Sequence, residues 1–257
     1  MQDGNRHLTG GIAVADLAEI CELEGRELPY PFALTQHSAN VDASSATFLD
    51  RFESGEFRVF RRWMSAYVDA DIWVECRVHY RPEERADTRI MAYRVGESGF
   101  IATQRSEADV VDVYELSAYG LGAAIADLVE LSHPGSRNRI VIPTYVDYFA
   151  RTAPDPEDGY ATTSVQVPVA GSAVQRVPSA EVAALAIVQS HSRPARAWGV
   201  DWDNKFLVWL RIRDDGDYIY DEDFRHAVPL SQTQLRNRID GLIAEDVALV
   251  RRRRGLG

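Results

Sequence analysis

The sequence is poor in cysteine, short of positive charge and free of long apolar runs. Two cysteines in 257 residues, Cys21 and Cys76, make neither a disulfide framework nor a metal cluster. Lys and Arg number 28 against 39 Asp and Glu, a net charge of −11. A general nucleic-acid binder neutralises phosphates with Lys and Arg, so that class is excluded. No stretch approaches the ~20 apolar residues of a membrane span. The opening "MQDGNRHLTGG" lacks the apolar core of a secretory signal. The expectation is a cytoplasmic protein that does not insert into membranes. The one basic block, Arg251 to Arg254, reads as a solvated helix end, where the helix dipole favours cations.

Recognisable catalytic spacing is also missing. There is no HExxH, no GxSxG, no phosphate-binding loop and no paired cysteines. No catalytic residue, metal or cofactor is therefore expected. Three features imitate sites. "GLGAAIAD", from Gly120, resembles part of a dinucleotide fingerprint, but its glycines fall inside a predicted helix rather than at a strand-to-helix turn, which points to packing. The acidic run Asp214, Asp215, Asp217, Asp221, Glu222 and Asp223 is interrupted by Tyr218, Ile219 and Tyr220, as two acidic hairpin turns flanking a strand would be. His79 shares the mixed face of a strand with Glu75 and Arg77, and His226 sits on a later strand. An enzyme would use these histidines or the Asp214–Asp223 carboxylates in a cleft between two halves. A self-associating scaffold is the third possibility.

What is present is periodicity. With 46% hydrophobic residues the chain can bury a sizeable core. A short strand is expected over 8–14 and a helix over 16–23; "LPYPF" then breaks the helix. Residues 42–52 form a weak helix, and Ser54 caps another whose face carries Phe57, Phe60, Trp63, Met64 and Tyr67. Ile72, Val74, Cys76, Val78 and Tyr80 alternate as one face of a strand. Further strands follow at 89–95, 100–104 and 110–113, then a helix over 116–131. A strand end and a short helix are expected within 139–150, and an irregular connector over 152–178 with an extended piece at 163–167. Ser179 reads as the cap of a helix through Gln189. Strands return at 198–203, 206–213, 217–220 and 224–228, with Asp215-Gly216 a strong hairpin signal.

One phrase is written twice. "LSAYGLGAAIADLV" (116–129) and "LSQTQLRNRIDGLI" (230–243) match at five positions at an offset of 114: Leu116 with Leu230, Ser117 with Ser231, Leu121 with Leu235, Ile125 with Ile239, Leu128 with Leu242. Four strands precede each copy. The predicted fold is therefore a single α+β domain over 1–257: a central antiparallel sheet from two duplicated β4α halves, about 57–131 and 179–250, related by a pseudo-two-fold and flanked by helical bundles.

The order of "IAVADLAEICELEGRELPYPF" (12–32), "FRVFRRWMSAYVDADIWVECRVHY" (57–80), "RIMAYRVGESGFIATQ" (89–104), "RIVIP" (139–143) and "DDGDYIYDEDFRHAVPLSQTQLRNRIDGLI" (214–243) resembles the EspG proteins of actinobacterial type VII (ESX) secretion. The resemblance spans nearly the whole chain. It implies a non-enzymatic cytosolic chaperone that covers the apolar PPE tip of a PE–PPE heterodimer, or of a similar helical-hairpin substrate, and keeps it soluble and ready for export. It implies contact through the sheet, the loop between early strands and the C-terminal helical region. Here that loop is the short, charged Arg81–Thr88 segment. The candidate partner-binding residues are Arg81, Glu83, Glu84, Arg85 and Asp87, a rim that would set partner choice and association rate, with Gln232, Gln234, Arg236 and Arg238 on the exposed face of the closing helix as weaker candidates. The free protein is expected as a monomer or weak homodimer.

Overall fold

The structure, a computed structural model, describes residues 6–34, 48–53, 55–81, 85–105, 108–145, 174–192, 199–202 and 204–255. Its frame is one sheet of eleven strands. They are β1 (His7–Ala13), β2 (Ile72–Tyr80), β3 (Thr88–Val95), β4 (Ser98–Gln104), β5 (Val110–Ser117), β6 (Ile140–Val141), β7 (Gln175–Arg176), β8 (Val182–His191), β9 (Phe206–Ile212), β10 (Gly216–Tyr220) and β11 (Ala227–Pro229). The order across the sheet is β1-β5-β4-β3-β2-β8-β9-β10-β11-β6-β7. Every neighbouring pair is antiparallel except the short β6–β7 pair. Among the described residues, the helices of six residues or more are α1 (Val14–Leu23), α2 (Phe48–Glu53), α3 (Arg61–Val68), α4 (Leu121–Leu128) and α5 (Gln232–Arg253).

Alternation in the strands decides which face each side chain takes. Ile72, Val74, Cys76, Val78 and Tyr80 of β2 join Ile90, Ala92 and Ile101 on one face. Ala184, Ala186, Val188, Trp209 and Ile219 extend that face across β8, β9 and β10, and α4 and α5 cover it through Leu121, Ile125, Leu235, Ile239 and Ile243. On the opposite face the sheet carries two separate cores. Over β1 and β3–β5, α1, α3 and the 3₁₀ turn Glu56–Phe60 bury Leu17, Ile20, Trp63 and Met64 against Met91, Tyr93, Phe100 and Val113. Over β9–β11, Ile140, Ile142, Tyr145 and Val177 pack on Val208, Leu210, Tyr218 and Tyr220. Both cysteine thiols are free and buried. Burial pushes Cys21 up to about 12 and Cys76 further, so neither is a ready nucleophile.

The twice-written phrase has a structural counterpart. Ser117 and Ser231 are both N-caps: Ser117 accepts from Tyr119 N, and Ser231 accepts from Gln234 N. Leu121 pairs in role with Leu235, and Ile125 with Ile239; all four are fully buried in the same core. The first copy starts later than its periodicity predicts. Leu116 and Ser117 end β5, a 3₁₀ turn spans Ala118–Gly120, and the α-helix is confined to Leu121–Leu128. The predicted helix over the 54–68 stretch likewise opens as a 3₁₀ turn before α3; Ser54 itself lies outside the described residues. Of the glycines of "GLGAAIAD", Gly120 lies in the 3₁₀ turn between β5 and α4 rather than inside the helix, and Gly122 serves packing. A Cβ on Gly122 would run into the Asp240 carboxylate of α5, which accepts a hydrogen bond from the Gly122 backbone.

Two expectations are corrected. The predicted helix from Ser179 to Gln189 is strand β8, entered through a 3₁₀ turn at Ser179–Glu181. Its alanines favour helix intrinsically. Yet Ala184, Ala186 and Val188 alternate into the core, and pairing with both β2 and β9 overrides the local preference. The strand predicted at 198–203 is a turn where it is described; its Asp201 locks the Gln189 side chain, donating to Oε1 and accepting from Nε2. Of the 152–178 connector only residues 174–178 are described, carrying β7; the extended piece predicted at 163–167 falls outside. Among the described residues, no helix is long and apolar enough to cross a membrane.

Candidate partner-binding face

The second face of β2 is polar where the first is apolar. Glu75, Arg77 and His79 stand on it, with Arg77 opposite Arg89 of β3 and, on the other side, opposite Ile187 of β8. Asp87, at the end of the β2–β3 loop, folds back onto this row. Arg77 donates from Nε and Nη2 to Asp87 Oδ2 at 2.8 and 2.6 Å. His79 Nδ1 lies 2.9 Å from Asp87 Oδ1, and Arg89 Nη2 is 3.7 Å from Oδ2. Arg77 also hydrogen-bonds the Tyr30 side chain. Burial acts to raise the Asp87 carboxyl, but the bonds from Arg77 and His79 outweigh it and hold it below the ordinary aspartate range. Burial, with the neighbouring Arg77 charge, lowers Arg89.

Next to this charged row the sheet is apolar and only half-buried. Leu185 faces His79 and Ile187 faces Arg77 across the β2–β8 pairing. Trp202, Phe206 and Phe224 continue the patch, with ring centroids 5.2 and 5.0 Å apart. Arg77 and His79 keep 34% and 38% of their side chains exposed, so solvent or a partner reaches both. Further along β8, His191 Nε2 sits 3.4 Å from the Glu75 carboxylate, both buried.

The predicted rim is divided between structural and exposed roles. Asp87 is drawn into the sheet. Arg81 and Arg85 stay exposed; Arg85 stacks 4.3 Å over the Tyr80 ring and donates to Glu130 at 3.1 Å. Glu83 and Glu84 lie outside the described residues. On α5, Gln232 donates to the Ala126 carbonyl, Gln234 closes a capping box with Ser231, Arg236 pairs with Asp240 at 3.6 Å, and Arg238 is exposed. Arg85 and Gln232 thus both reach the C-terminal end of α4, although they come from different parts of the chain. Arg89, Tyr30, Leu185 and Ile187 were not singled out from sequence. The β2 alternation that exposes His79 also marks Arg77. The β8 residues were hidden by the mistaken helix.

The acidic run splits by burial. Asp215 accepts from Ser136 and Tyr218, and Asp217 from Arg211 and Ser132, while Glu222 and Asp223 are exposed. Among the described residues no group of three His, Cys, Asp or Glu side chains could hold a metal. Among the described residues, no hydrogen bond or ion pair joins His79, His226 and the Asp214–Asp223 carboxylates to one another as a single site. The Asp87–His79 pair orients an imidazole, but its carboxylate is shared with two guanidiniums. No known protein-family model matches the chain, and no curated protein matches it.

The Asp87 bonds have a pH signature. Its folded carboxyl is depressed relative to the ~3.9 of an unfolded aspartate, so its contribution to stability is present above about pH 4 and lost as pH falls through the folded value. Replacing Asp87 by Asn is expected to flatten this acid limb of a stability–pH curve from urea titrations. An unchanged limb would show that the Arg77 and His79 bonds do not discriminate between the carboxylate and its acid.

Proposed function

We propose that this chain is an EspG-like, non-enzymatic chaperone that binds a PE–PPE heterodimer or similar helical-hairpin substrate of type VII secretion and keeps its apolar tip soluble. The observation that carries the reading is the partly buried apolar strip, Leu185 and Ile187, beside the accessible Arg77 and His79 at the centre of a broad sheet. A chaperone needs such an apolar surface with a charged margin, because the apolar part binds and the margin steers and permits release.

The strand order lends support. From the β2–β8 seam outward the chain runs β2-β3-β4-β5 on one side and β8-β9-β10-β11 on the other. Each series is followed by a helix on the same face, α5 capped directly by Ser231 and α4 entered through a 3₁₀ turn capped by Ser117. We read these as duplicated β4α halves about a pseudo-two-fold at the seam, with the second half beginning at β8. The exposed Arg81 and Arg85 then flank one end of the client surface.

The test is co-expression with PE–PPE pairs, followed by size-exclusion chromatography with light scattering. A stable 1:1:1 complex that holds the heterodimer in solution is expected. Elution of the chain alone beside every aggregated pair would count against the reading and favour self-association or an enzyme.

A further inference from the structure

The two ends of the sheet are not alike. At one end β7 is two exposed residues long. At the other, β1 runs for seven residues and pairs with β5 alone. Among the described residues, no backbone hydrogen bond joins β1 to any element but β5. About half of its N–H and C=O groups therefore point out of the sheet, which is a template for another strand. Proteins guard such an edge with lysine, inward-pointing charge or proline. The β1 sequence, HLTGGIA, has no Pro, Lys, Arg, Asp or Glu. The carboxylates one strand in are already paired. Arg105 donates to Asp112 at 2.7 and 2.6 Å, and Arg62 donates to Glu115 at 2.8 Å. In a protein of net charge −11, this border is one at which two copies can meet without setting like charges against each other. Two apolar side chains flank it, Leu8 at 53% and Val59 at 54% exposure.

We propose that β1 pairs with β1 of a second copy, antiparallel about a two-fold axis, so that two sheets join edge to edge. Self-complementarity identifies the occupant. Gly10 and Ile12 stand opposite Val113 and Val111, on the face that buries Trp63. Leu8 stands opposite Tyr114, on the face covered by α4 and α5, and a bulge separates it from Gly10. Gly11, next after Gly10, turns to that same α4 and α5 face. Directly opposed residues of an antiparallel pair share a face. A two-fold axis through Gly10 satisfies this rule and sets Leu8 opposite the second copy's Gly11, where no side chain competes for the space. On the other face Val59 lies over Gly10, 4.0 Å from where a Cβ would be. The two Val59 side chains then meet over the paired glycines. The contact is one strand pair with three small apolar contacts, at the low end of specific interfaces, so the dimer is weak and concentration-dependent. β5, β4 and β3 lie between β1 and β2, so the Arg77 and His79 face stays open and the inference does not rest on the chaperone reading.

Sedimentation velocity of the full chain, from micromolar to near-millimolar concentration, tests the proposal. The weight-average mass is expected to climb from monomer towards dimer. Leu8→Lys and Val59→Lys, both at exposed positions, should leave thermal unfolding unchanged and weaken the dimer by about 10-fold or more. Leu23→Lys, equally exposed but at the end of α1, should leave the dimer as it is. Hydrogen exchange gives a second readout. Amides within His7–Ala13 slow as the wild-type concentration rises, and do not in Leu8→Lys. A monomer mass at every concentration overturns the inference. So does a dimer that both lysine variants leave equally tight, since its interface then lies elsewhere. A monomer that still binds a PE–PPE pair overturns this inference and leaves the chaperone reading standing.

Discussion

Replacing Asp217 by Ala is expected to destabilise the protein by about 3–5 kcal/mol, the range for breaking a buried ion pair by removing one partner. Asp217 is 1% exposed at the start of β10. Its carboxylate accepts from Arg211 Nε at 2.7 Å, from Arg211 Nη2 at 3.2 Å, and from the Ser132 backbone N–H. Its backbone is engaged as well: Asp217 N donates to the His133 carbonyl, while Gly135 and Leu230 donate to its own. One residue thus ties the end of α4 to the β9–β10 hairpin and to the entry of α5. Without the carboxylate, Ser132 N–H loses this acceptor and, among the described residues, Arg211 keeps the Glu130 carbonyl. Asp217→Asn keeps an acceptor but not the charge, so a smaller loss of about 1.5–3 kcal/mol is expected. Glu222→Ala, at an exposed position of the same acidic run, should change stability by less than about 0.5 kcal/mol. Urea unfolding at pH 7 checks all three. Equal losses for Asn and Ala would show that the charge alone, not shape or a neutral acceptor, holds the latch.

The fate of that run shows what a sequence reader can and cannot see. Turn chemistry is local, and Asp214 at φ 57° followed by Gly216 at φ 127° makes the predicted hairpin. Which carboxylates go inside depends on the His133–Arg137 segment, some 80 residues earlier, which no local pattern connects to it. The strands β2 to β5 were legible because alternation and Gly turns agree over short distances. β8 was not. Its alternation is real, but Ala at the inward positions weakens the contrast that a period-two reading needs, and a preceding Ser mimics a helix cap. Once β8 is a strand, β8, β9, β10 and β11 run outward from the β2–β8 seam in chain order, as β2, β3, β4 and β5 do on the other side.

The site was legible to the same degree. The β2–β3 loop drew attention through its charge, yet Asp87 works inside the sheet rather than on the rim. His79 with Glu75 and Arg77 on one strand face was visible as a mixed face. Arg89 was not, because only the hairpin register places it opposite Arg77. Half-buried Leu185 and Ile187 depend on β8 being a strand in the middle of the sheet, which is a tertiary fact.

The second large effect concerns the helix face written twice. Ile125 of α4 and Ile239 of α5 are both fully buried in the core over β2 and β8. Each, changed to Ala, is expected to cost about 2–5 kcal/mol, the transfer term plus the cavity left behind. Leu128 and Leu242, the partly buried ends of the two copies, should cost less under the same change because surrounding atoms and water relax into the space. If the halves are duplicates packed about the seam, the Ile125 and Ile239 losses agree within about 1 kcal/mol, the spread that context alone introduces. The comparison is demanding because the helices differ outside the repeated face. α4 stops after eight residues at left-handed Glu130, whereas α5 continues for 22. Its extra turns place Asp246 on Ser190 of β8 and Glu245 on Lys205 before β9. A capping box fixes its first turn and three arginines complement the dipole in its last. Such support lies outside the shared stripe, so it raises total stability without altering what one buried isoleucine contributes. Losses differing by more than about 2 kcal/mol in chemical denaturation would mean that the two stripes occupy unlike environments, and the repeated phrase would then reflect only the common needs of an amphipathic helix on a sheet.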